Sequence, residues 1–450
     1  MKRFFTLVLI LQSSQVLFAS DPLPRRGALG LSFSPAPAEA AEKHGLKSGE
    51  GLVAGAAVPG LTAEKLGIKS GDLILSINGQ SVSAQKIGAF VRELPSGKEV
   101  KFQVIRDGKP LEIKGILMEK PRDPGNQNFK VTYSHVVSNG ERFRTIITEP
   151  TKPGKHPAMF FIQGLAPASY DYVLEGPASL QRLNAPLLFD FANSNFVTIR
   201  VEKPGVGDSE GKPYPEWDYL SEQDIYRQTL KQLQGLGTVD RDNILIFGHS
   251  MGGAFGPMVS AENPVKAIAV FGTAARTWFE YIIDILRYQA TLGGASFESV
   301  DDQVRVGGRI MSEIILKGRS VEDVKKSYPD QSAMVDSFFP GGLFNGKSAK
   351  FWSQLADINF AKQWADCKAH VLAVHGVSDF VSYSVDHKLI ADIVNRANPG
   401  KGTHWEAPNS DHLFNAWPTE AESLKNWPNG TFNMDFSNRM KEWFLGLKSK

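Results

Sequence analysis

The segment Gly-His-Ser-Met-Gly at 248–252 contains the residue types that most directly indicate chemistry. Ser250 stands between two glycines, after a short apolar run at 243–247 and before a second apolar stretch. This pattern predicts a buried strand, a tight turn and a helix. Such a turn holds a serine hydroxyl above the edge of a sheet, where it can attack a carbonyl carbon. A side chain at Gly248 or Gly252 would strike the neighbouring strand or helix, so we expect both glycines to be required.

The base and the acid that a catalytic serine needs are supplied further along the chain. Asp379 follows an apolar run at 370–376 that predicts a strand. His412 lies in a loop after a further predicted strand at 403–407. The order Ser, Asp, His and the pattern Gly-x-x-Asp-x-Val at 376–381 resemble those of the α/β-hydrolases. The resemblance implies Ser250 as the nucleophile, His412 as general base and acid, and Asp379 as the carboxylate that orients the base.

Other histidines and carboxylates compete for these roles. His375 and His404 lie on or beside predicted strands, which favours packed or partly exposed structural residues. Asp411 is adjacent to the base, and a carboxylate in that position rarely reaches the far ring nitrogen. Asp386 falls inside a predicted helix rather than at the end of a strand. His249 adjoins the nucleophile, but the backbone direction points its side chain away from the serine hydroxyl.

Hydrogen-bond donors must stabilise the negative charge that develops on the carbonyl oxygen in this chemistry. The first predicted donor is the backbone N–H of Met251, the residue after the serine. The second is expected after an earlier strand at 158–162, where Gln163 and Gly164 precede Leu165. Gly164 allows the chain to bend so that the N–H of Leu165 faces the pocket. In the alternative interpretation, Gln163 merely ends the strand.

A further strand at 196–201 leads into Pro-Gly-Val-Gly-Asp-Ser at 204–209, which we interpret as one wall of the site. Phosphate binding is disfavoured, because no Gly-Lys-Ser/Thr follows and no helix begins at once. With these motifs in this order, residues 126–450 resemble the α/β-hydrolases of the esterase, lipase and serine-aminopeptidase group. The resemblance implies an α/β fold with a mostly parallel eight-stranded sheet and helices on both faces. Helical stretches that alternate with the predicted strands agree with it.

The segment 273–366 separates two of the predicted strands and is longer than the simplest hydrolases require. Several of its stretches have helical spacing, which predicts an inserted helical cap over the active site. Its aromatic residues include Trp278, Phe279, Tyr281 and Tyr288. They either line an acyl pocket or pack the cap against the body.

Residues 27–119 do not fit the hydrolase pattern. The run at 70–80 contains a turn, an apolar strand and an Asn-Gly hairpin turn, and a Gly-rich strand at 51–55 precedes it. Together these features resemble a small, β-rich PDZ domain of the bacterial type. A groove helix is expected at 84–94, followed by two closing strands.

The loop Gly-Ala-Leu-Gly-Leu at 27–31 matches the carboxylate-binding loop of that family. The resemblance implies that the N–H groups of Leu29, Gly30 and Leu31 form a nest for the C-terminal carboxylate of a protein or peptide. We expect an apolar ligand terminus, because no histidine stands near the start of the predicted groove helix. The alternative is a PDZ fold packed against the hydrolase with an unoccupied groove.

The chain begins with Met-Lys-Arg and an apolar run at 4–11. This run is too short for a bilayer, which requires about 20 residues, so we interpret 1–20 as an export signal. The alternative is an apolar N-terminus in a cytosolic protein. We expect a PDZ domain at 27–119, a Pro/Gly-containing linker at 120–127 and a hydrolase domain at 128–450.

Composition excludes some classes of partner. Hydrophobic residues make up 42% of the chain and charged residues 22%, which is typical of a globular protein. Without Lys2 and Arg3, 48 basic residues balance 48 acidic ones, so charge does not favour nucleic acid or an anionic membrane. The one cysteine, Cys367, cannot form an internal disulfide, which is compatible with export from a bacterium.

The motifs predict an exported, periplasmic or secreted serine hydrolase that cleaves carboxylic esters through an acyl-enzyme, with no metal or organic cofactor. One alternative is a peptidase or aminopeptidase to which the PDZ groove delivers peptides. Glu280 or Asp284 would then hold the α-amine of the substrate. The other alternative is a non-catalytic scaffold that binds protein C-termini. We also expect a deletion of residues 20–120 to leave hydrolysis of a small ester largely intact.

Overall fold

The computed structural model describes residues 23–171 and 185–448. The predicted export signal at 1–20 lies outside the described residues. The chain forms two separate sheets, the first built from strands before residue 120 and the second from strands after it. None of the helices in the described ranges is both long enough and apolar enough to cross a membrane.

The first sheet is small and antiparallel. Its strands are β1 (Leu31–Pro35), β2 (Leu52–Ala57), β3 (Leu73–Ile77), β4 (Gln80–Ser81), β5 (Glu99–Arg106) and β6 (Lys109–Ile116). The spatial order is β1-β2-β3-β5-β6, and β4 pairs with β3. Helices α1 (Ala38–Lys43), α2 (Thr62–Lys65) and α3 (Ile87–Glu93) lie between these strands in the chain. This is the small β-rich PDZ fold that the sequence predicts.

The residues of this domain explain its elements. Strand β5 buries Val100, Phe102 and Val104 and exposes the residues between them, as a strand with one face on a core must do. Asn78 and Gly79 both have positive φ, so the predicted Asn-Gly turn joins β3 to β4. Strand β1 lies at an edge of the sheet, which leaves one side open for a further strand.

The second sheet has eight strands. They are β7 (Phe129–Ser138), β8 (Glu141–Pro150), β9 (His156–Ile162), β10 (Val197–Val201), β11 (Val239–His249), β12 (Ala267–Phe271), β13 (His370–Gly376) and β14 (Gly402–Ala407). Their order is β14-β13-β12-β11-β9-β10-β8-β7. The strands β9 to β14 run parallel to their neighbours among these six. Strand β8 pairs antiparallel with β7 and β10. The predicted α/β-hydrolase fold is confirmed.

Helices cover both faces of this sheet. Helices α4 (Ala185–Asn193) and α15 (Met434–Gly446) pack on one face, where Phe161, Phe247 and Phe271 point. Helices α5 (Tyr219–Gly235), α6 (Met251–Ser260) and α13 (Ser384–Ala397) cover the other face. The central strands are buried on both sides, which explains why they appear in the sequence as continuous apolar runs rather than as alternating patterns. Helix α14 (Glu420–Asn426) follows β14.

The segment between β12 and β13 forms the predicted helical insertion. It contains α7 (Trp278–Leu292), α8 (Phe297–Met311), α9 (Val321–Ser327), α10 (Ser332–Phe338), α11 (Ala349–Ala356) and α12 (Phe360–Asp366). Trp278 of α7 stacks on Trp352 of α11, with 4.7 Å between the ring centroids. Apolar side chains of these helices belong to the same core as those of α5 and α6, so the cap is packed against the body.

The residues just before the PDZ domain are buried against the hydrolase domain. Arg25 is 4% exposed, and its guanidinium lies 2.5 Å from Asp171 and 2.6 Å from Asp208. In the linker, Asp123 is buried and pairs with Arg200 of β10. The two domains are therefore joined by buried ion pairs as well as by the chain itself.

Candidate active site

The turn at Ser250 has the strained geometry that the Gly-x-Ser-x-Gly motif predicts. Ser250 separates β11 from α6 and has φ 54° and ψ −126°, a conformation that non-glycine residues rarely adopt. A β-carbon on Gly252 would lie 2.1 Å from the carbonyl oxygen of Ile162, and one on Gly248 would lie 2.6 Å from the carbonyl oxygen of Gly252. Both glycines are therefore required by close backbone approach, as predicted.

His412 and Asp379 form the predicted pair, with Nδ1 of His412 2.8 Å from Oδ2 of Asp379. Asp379 is fully buried, and it also accepts hydrogen bonds from the N–H groups of Val381 and Ser382 and from the Ser382 hydroxyl. Burial alone would raise the pKa of Asp379, but His412 and these donors hold it well below its usual range. A fixed carboxylate thus engages one ring nitrogen of His412 and leaves Nε2 available for proton transfer.

The end of β12 lies against both Ser250 and His412. The N–H of Ser250 donates to the carbonyl of Phe271 at 2.8 Å. A β-carbon on the next residue, Gly272, would lie 2.8 Å from Cε1 of His412 and 3.2 Å from Asp379. No hydrogen bond links the Ser250 hydroxyl to the His412 ring in the described part of the chain, and catalytic contacts of this kind often tighten only when substrate binds.

Gly272 is a site residue that the sequence analysis missed. Its φ of +69° and its proximity to the His412 ring both require glycine. The available signal was a glycine directly after the apolar strand at 267–271, but a glycine there is also an ordinary strand end. Only the folded chain, which brings the remote residue His412 next to Gly272, distinguishes a site glycine from a glycine that merely ends a strand.

The two residues predicted to supply oxyanion donors lie beside Ser250. Met251 begins α6, so its N–H lies at the positive end of that helix. Leu165 follows Gly164, where a β-carbon would lie 3.0 Å from Cβ of Ser250. Within the described ranges, the N–H groups of Met251 and Leu165 donate to no other group. Gln163 is buried and donates to the carbonyl of Val201, so it also secures the turn against β10.

The rival histidines have partners of their own. Nδ1 of His375 lies 2.8 Å from Glu406, and Nε2 of His404 lies 3.0 Å from the same carboxylate. His249 is buried, and its Nε2 contacts the carbonyl oxygen of His412 at 2.7 Å. Burial lowers the pKa of His249 to about 3, so this ring is neutral and supports the loop that carries the proposed base.

The rival carboxylates also bond elsewhere. Asp411 accepts hydrogen bonds from the N–H groups of Leu413 and Asn415, and therefore stabilises the turn around His412. Asp386 accepts from the N–H of Ala275 and pairs with the guanidinium of Arg276 at 3.1 Å. Among the candidates predicted from the sequence, Asp379 is the carboxylate that contacts the ring of His412.

A cavity of about 320 Å³ opens at Ser250 between the sheet edge and the cap. Its described walls are mostly apolar and carry no charged side chain; they comprise Leu165, Ser250, Met251, Ala254, Gly272, Thr273, Ala274, Trp278, Tyr281, Ile282, Ile285, Gln289, Asn345, Leu355, Phe360 and Val381. The volume is at the lower end of the range of roughly 300–1,000 Å³ typical of small-molecule sites. Ser250 and both residues predicted to supply oxyanion donors thus line one mostly apolar cavity.

The cap aromatics divide between the two predicted roles. Trp278 and Tyr281 line the cavity, and the Tyr281 hydroxyl donates to the carbonyl of Val381. Phe279 packs against the core, and Tyr288 donates to Glu420 beyond the cap. Trp278 and Tyr281 thus line the cavity, whereas Phe279 packs the cap against the body.

The predicted carboxylate loop of the PDZ domain is formed by Leu29, Gly30 and Leu31. Gly30 has φ +65°, and a β-carbon there would lie 2.5 Å from Cβ of Leu61. The carbonyls of Leu29 and Gly30 accept hydrogen bonds from Ala63 and Val58, which fixes the loop. In the described part of the chain the N–H groups of Leu29 and Gly30 donate to no other residue, and Leu31 begins the open edge strand β1.

Comparisons with known proteins bear on both domains. Residues 53–106 match the family model of the PDZ domain. The uncharacterized peptidase YtmA of Bacillus subtilis (strain 168) is 26% identical over 150 residues, which are 33% of this chain and 52% of that protein. The matched region thus spans about half the length of that relative.

Two solved structures are similar to about 70% of this chain. The Pyrococcus furiosus esterase Pf2001 is 13% identical, with 72% of this chain and 95% of that chain covered and a TM-score of 0.43. Est1E of Butyrivibrio proteoclasticus, solved with ferulic acid bound, is 14% identical, with 69% and 97% covered and a TM-score of 0.42. The eight-stranded sheet and the helices on both its faces establish the fold.

Proposed function

We propose that this protein is a serine hydrolase that cleaves uncharged carboxylic esters with an apolar acyl group. The observation that carries the proposal is that Ser250, on its strained turn, opens into an apolar cavity beside a buried Asp379–His412 pair. The α/β-hydrolase fold supports this reaction class, because the sheet edge presents the ends of β9, β11 and β12 to one cavity.

In the proposed reaction, the Ser250 hydroxyl oxygen attacks the ester carbonyl carbon while Nε2 of His412 accepts its proton. The N–H groups of Met251 and Leu165 stabilise the oxyanion of the tetrahedral intermediate. His412 then protonates the leaving alcohol, and the acyl group remains on Ser250. Water attacks the acyl-enzyme with His412 again accepting a proton, which releases the carboxylic acid and restores the serine.

The second candidate is a peptidase, which the name of the Bacillus relative favours. An aminopeptidase requires an acidic group to hold the substrate α-amine. Glu280 accepts hydrogen bonds from Thr277 in a capping box, and Asp284 pairs with Arg276 at 2.5 Å. Neither residue is part of the cavity wall, whose described residues carry no charge. An uncharged ester is therefore the better substrate for this cavity.

Turnover of p-nitrophenyl esters of graded acyl length, measured beside aminoacyl p-nitroanilides, tests the proposal. We expect ester turnover that increases from acetate to a medium-length chain, because a longer acyl group buries more apolar surface in the cavity. The Ser250→Ala variant is the control for background hydrolysis. Anilide turnover that exceeds ester turnover would support the peptidase instead. Ester turnover that survives in Ser250→Ala would contradict the proposal itself.

The proposal includes two features outside the active site. The PDZ groove binds a free, apolar C-terminus of a protein or peptide, and the protein is exported after removal of residues up to about 20. N-terminal sequencing of the protein from its native host tests export. A mature start near Ser20 or Asp21 is expected, whereas an intact Met1 in the cytosolic fraction would contradict it.

A further inference from the structure

A buried cluster lies directly behind the turn that carries Leu165. Nζ of Lys203 donates to the carbonyl of Leu165 at 3.1 Å and to the Tyr214 hydroxyl at 2.9 Å. The Tyr214 hydroxyl donates to the same Leu165 carbonyl. Lys203 is 2% exposed and Tyr214 is 4% exposed. The Leu165 carbonyl is thus held by two side chains that bond to each other.

The cluster continues into α5 and the cap. The carboxylate of Glu222 in α5 lies 3.1 Å from Nζ of Lys203 and 3.0 Å from Nζ of Lys347. Lys347 belongs to the inserted segment, is fully buried, and donates to the carbonyls of Tyr214 and Trp217. We call Lys203, Glu222 and Lys347 the Lys–Glu–Lys cluster. It connects the cap, α5 and the loop after β10 at one point behind the active site.

Stability alone does not account for this arrangement. Apolar residues of similar volume are often at least as stabilising as a buried ionic group. Two ammonium groups here share one carboxylate, so the fully ionised cluster has a net positive charge. All three donors of the Lys203 ammonium are used, on Leu165, Tyr214 and Glu222. The cluster therefore orients the turn and places positive charge behind it.

We propose that Lys203 and Tyr214 are positioning residues for the oxyanion site, and that Lys347 links the position of the cap to the same turn. The proposal rests on the function proposed above. Anchoring the carbonyl of Leu165 restricts the two backbone torsions between it and the N–H of the same residue. That N–H is then held toward the position of the substrate oxyanion, with no reorganisation needed during the reaction.

If Lys203 acts through its positive charge, kcat should depend on the protonation state of this lysine. Burial lowers the pKa of Lys203 to about 8, although Glu222 acts to raise it. Lys347 of the cap also acts to lower it, and Nζ of Lys203 contacts the Tyr214 hydroxyl. The phenols of Tyr219 and Tyr226 lie near Glu222 instead, and burial raises the pKa of all three tyrosines well above the usual range. The positive charge is therefore present below about pH 8 and is lost above it.

The test compares ester kinetics of the full-length wild type with Lys203→Met, Tyr214→Phe and Lys350→Met. Lys203→Met leaves Glu222 and Lys347 as a balanced pair, and we expect kcat to fall about 10- to 100-fold with little change in KM. The decline of wild-type kcat above about pH 8 should be absent in this variant. Tyr214→Phe removes one hydroxyl and should lower kcat with the decline retained. Lys350→Met is the matched control, because Lys350 pairs with Asp218 on the protein surface and does not contact Leu165.

The outcomes separate this inference from the proposed function. Wild-type kcat and an unchanged pH profile in a folded Lys203→Met protein would overturn the positioning role, even where Ser250→Ala is inactive. If Lys203→Met does not fold, by circular dichroism, Tyr214→Phe decides, and unchanged kcat in that variant would overturn the role. Ester turnover retained by Ser250→Ala would instead remove the proposed function and this inference with it.

Discussion

Arg25 and Asp208 lie in direct contact, with Nη1 2.6 Å from Oδ2, although 183 positions separate them in the chain. The same Nη1 lies 2.5 Å from Asp171, in the segment that follows Leu165. The backbone N–H of Asp208 donates to the buried Glu202 at the end of β10. The residues that precede the PDZ domain are thus anchored in two loops of the hydrolase domain.

This contact predicts that Arg25→Met destabilises the protein. Asp171 and Asp208 would lose their shared counter-ion, although Lys120 and Arg144 remain near them. Removal of one partner from a buried pair typically costs about 3–5 kcal/mol, and the remaining cations place this case at the lower end. Urea unfolding measures the effect. Arg122→Met is the control, because exposed Arg122 lies over the Tyr133 ring without a buried acid; an equal effect of both changes would contradict the prediction.

The contact also changes what we expect of deletions. A deletion of 20–120 removes Arg25, whereas a deletion of 27–119 retains it. The N–H of Lys120 donates to the carbonyl of Arg26 at 2.8 Å, so a short glycine link can rejoin the chain there. We expect the protein that lacks 27–119 to keep small-ester turnover within about tenfold of the full-length protein, which is ~1.4 kcal/mol of barrier. The protein that lacks 20–120 should lose more. Equal activity of the two truncated proteins would show that Arg25 is dispensable.

The proposed triad predicts graded losses of kcat/KM for p-nitrophenyl butyrate. Ser250→Ala and His412→Ala should each lose about 10⁶-fold, because the triad acts as a unit. Asp379→Asn should lose about 10⁴-fold, because an amide favours the wrong tautomer of His412. Asp386→Asn is the matched control, since Asp386 contacts Arg276 rather than His412, and it should lose less than tenfold. A larger loss in Asp386→Asn than in Asp379→Asn would reassign the acid.

We predict that the free energy of unfolding falls as pH rises, because of the buried carboxyl group of Glu202. Burial raises the pKa of Glu202 from 4.5 to about 7, although the charge of Lys120 acts to lower it. The folded state therefore binds a proton that the unfolded state releases between these values, and stability falls as pH rises from about 4.5 to about 7. Glu202→Gln should remove this fall, with an upper bound of roughly 3 kcal/mol. Urea unfolding at pH 5 and pH 8 measures it, and exposed Glu216→Gln is the control; a wild-type pH dependence in Glu202→Gln would contradict the assignment.

Gly30→Ala should weaken binding of a peptide with a free apolar C-terminus at least tenfold. The new β-carbon would meet Leu61 at 2.5 Å and displace the loop. Gly60→Ala is the control, because Gly60 also has positive φ but a β-carbon there meets no atom within 4 Å. Fluorescence anisotropy with free and amidated peptides measures binding. Equal binding of the amidated peptide would show that the loop does not read a carboxylate, and ester turnover should be unchanged in both variants.

Elements whose causes are local could be predicted from the residues alone. The elbow at Ser250 was predictable, because a tight strand-to-helix turn requires glycine at 248 and 252 whatever surrounds it. The hairpin at Asn78 and Gly79 was predictable for the same kind of reason, since both residues adopt positive φ readily. Continuous apolar runs predicted the parallel strands, because strands covered on both faces bury every side chain.

Pairing between residues far apart in the chain depends on how the whole chain folds. Sequence position favours Asp379 over Asp386 and Asp411, but its contact with the ring of His412 depends on how β13 and the last loops pack. Burial likewise gives Lys203 its role, because the same lysine on a surface would be solvated and would not hold the Leu165 carbonyl. Sequence patterns report the backbone's local preferences, whereas desolvation and charge pairing depend on neighbours that only the folded chain brings within hydrogen-bonding distance.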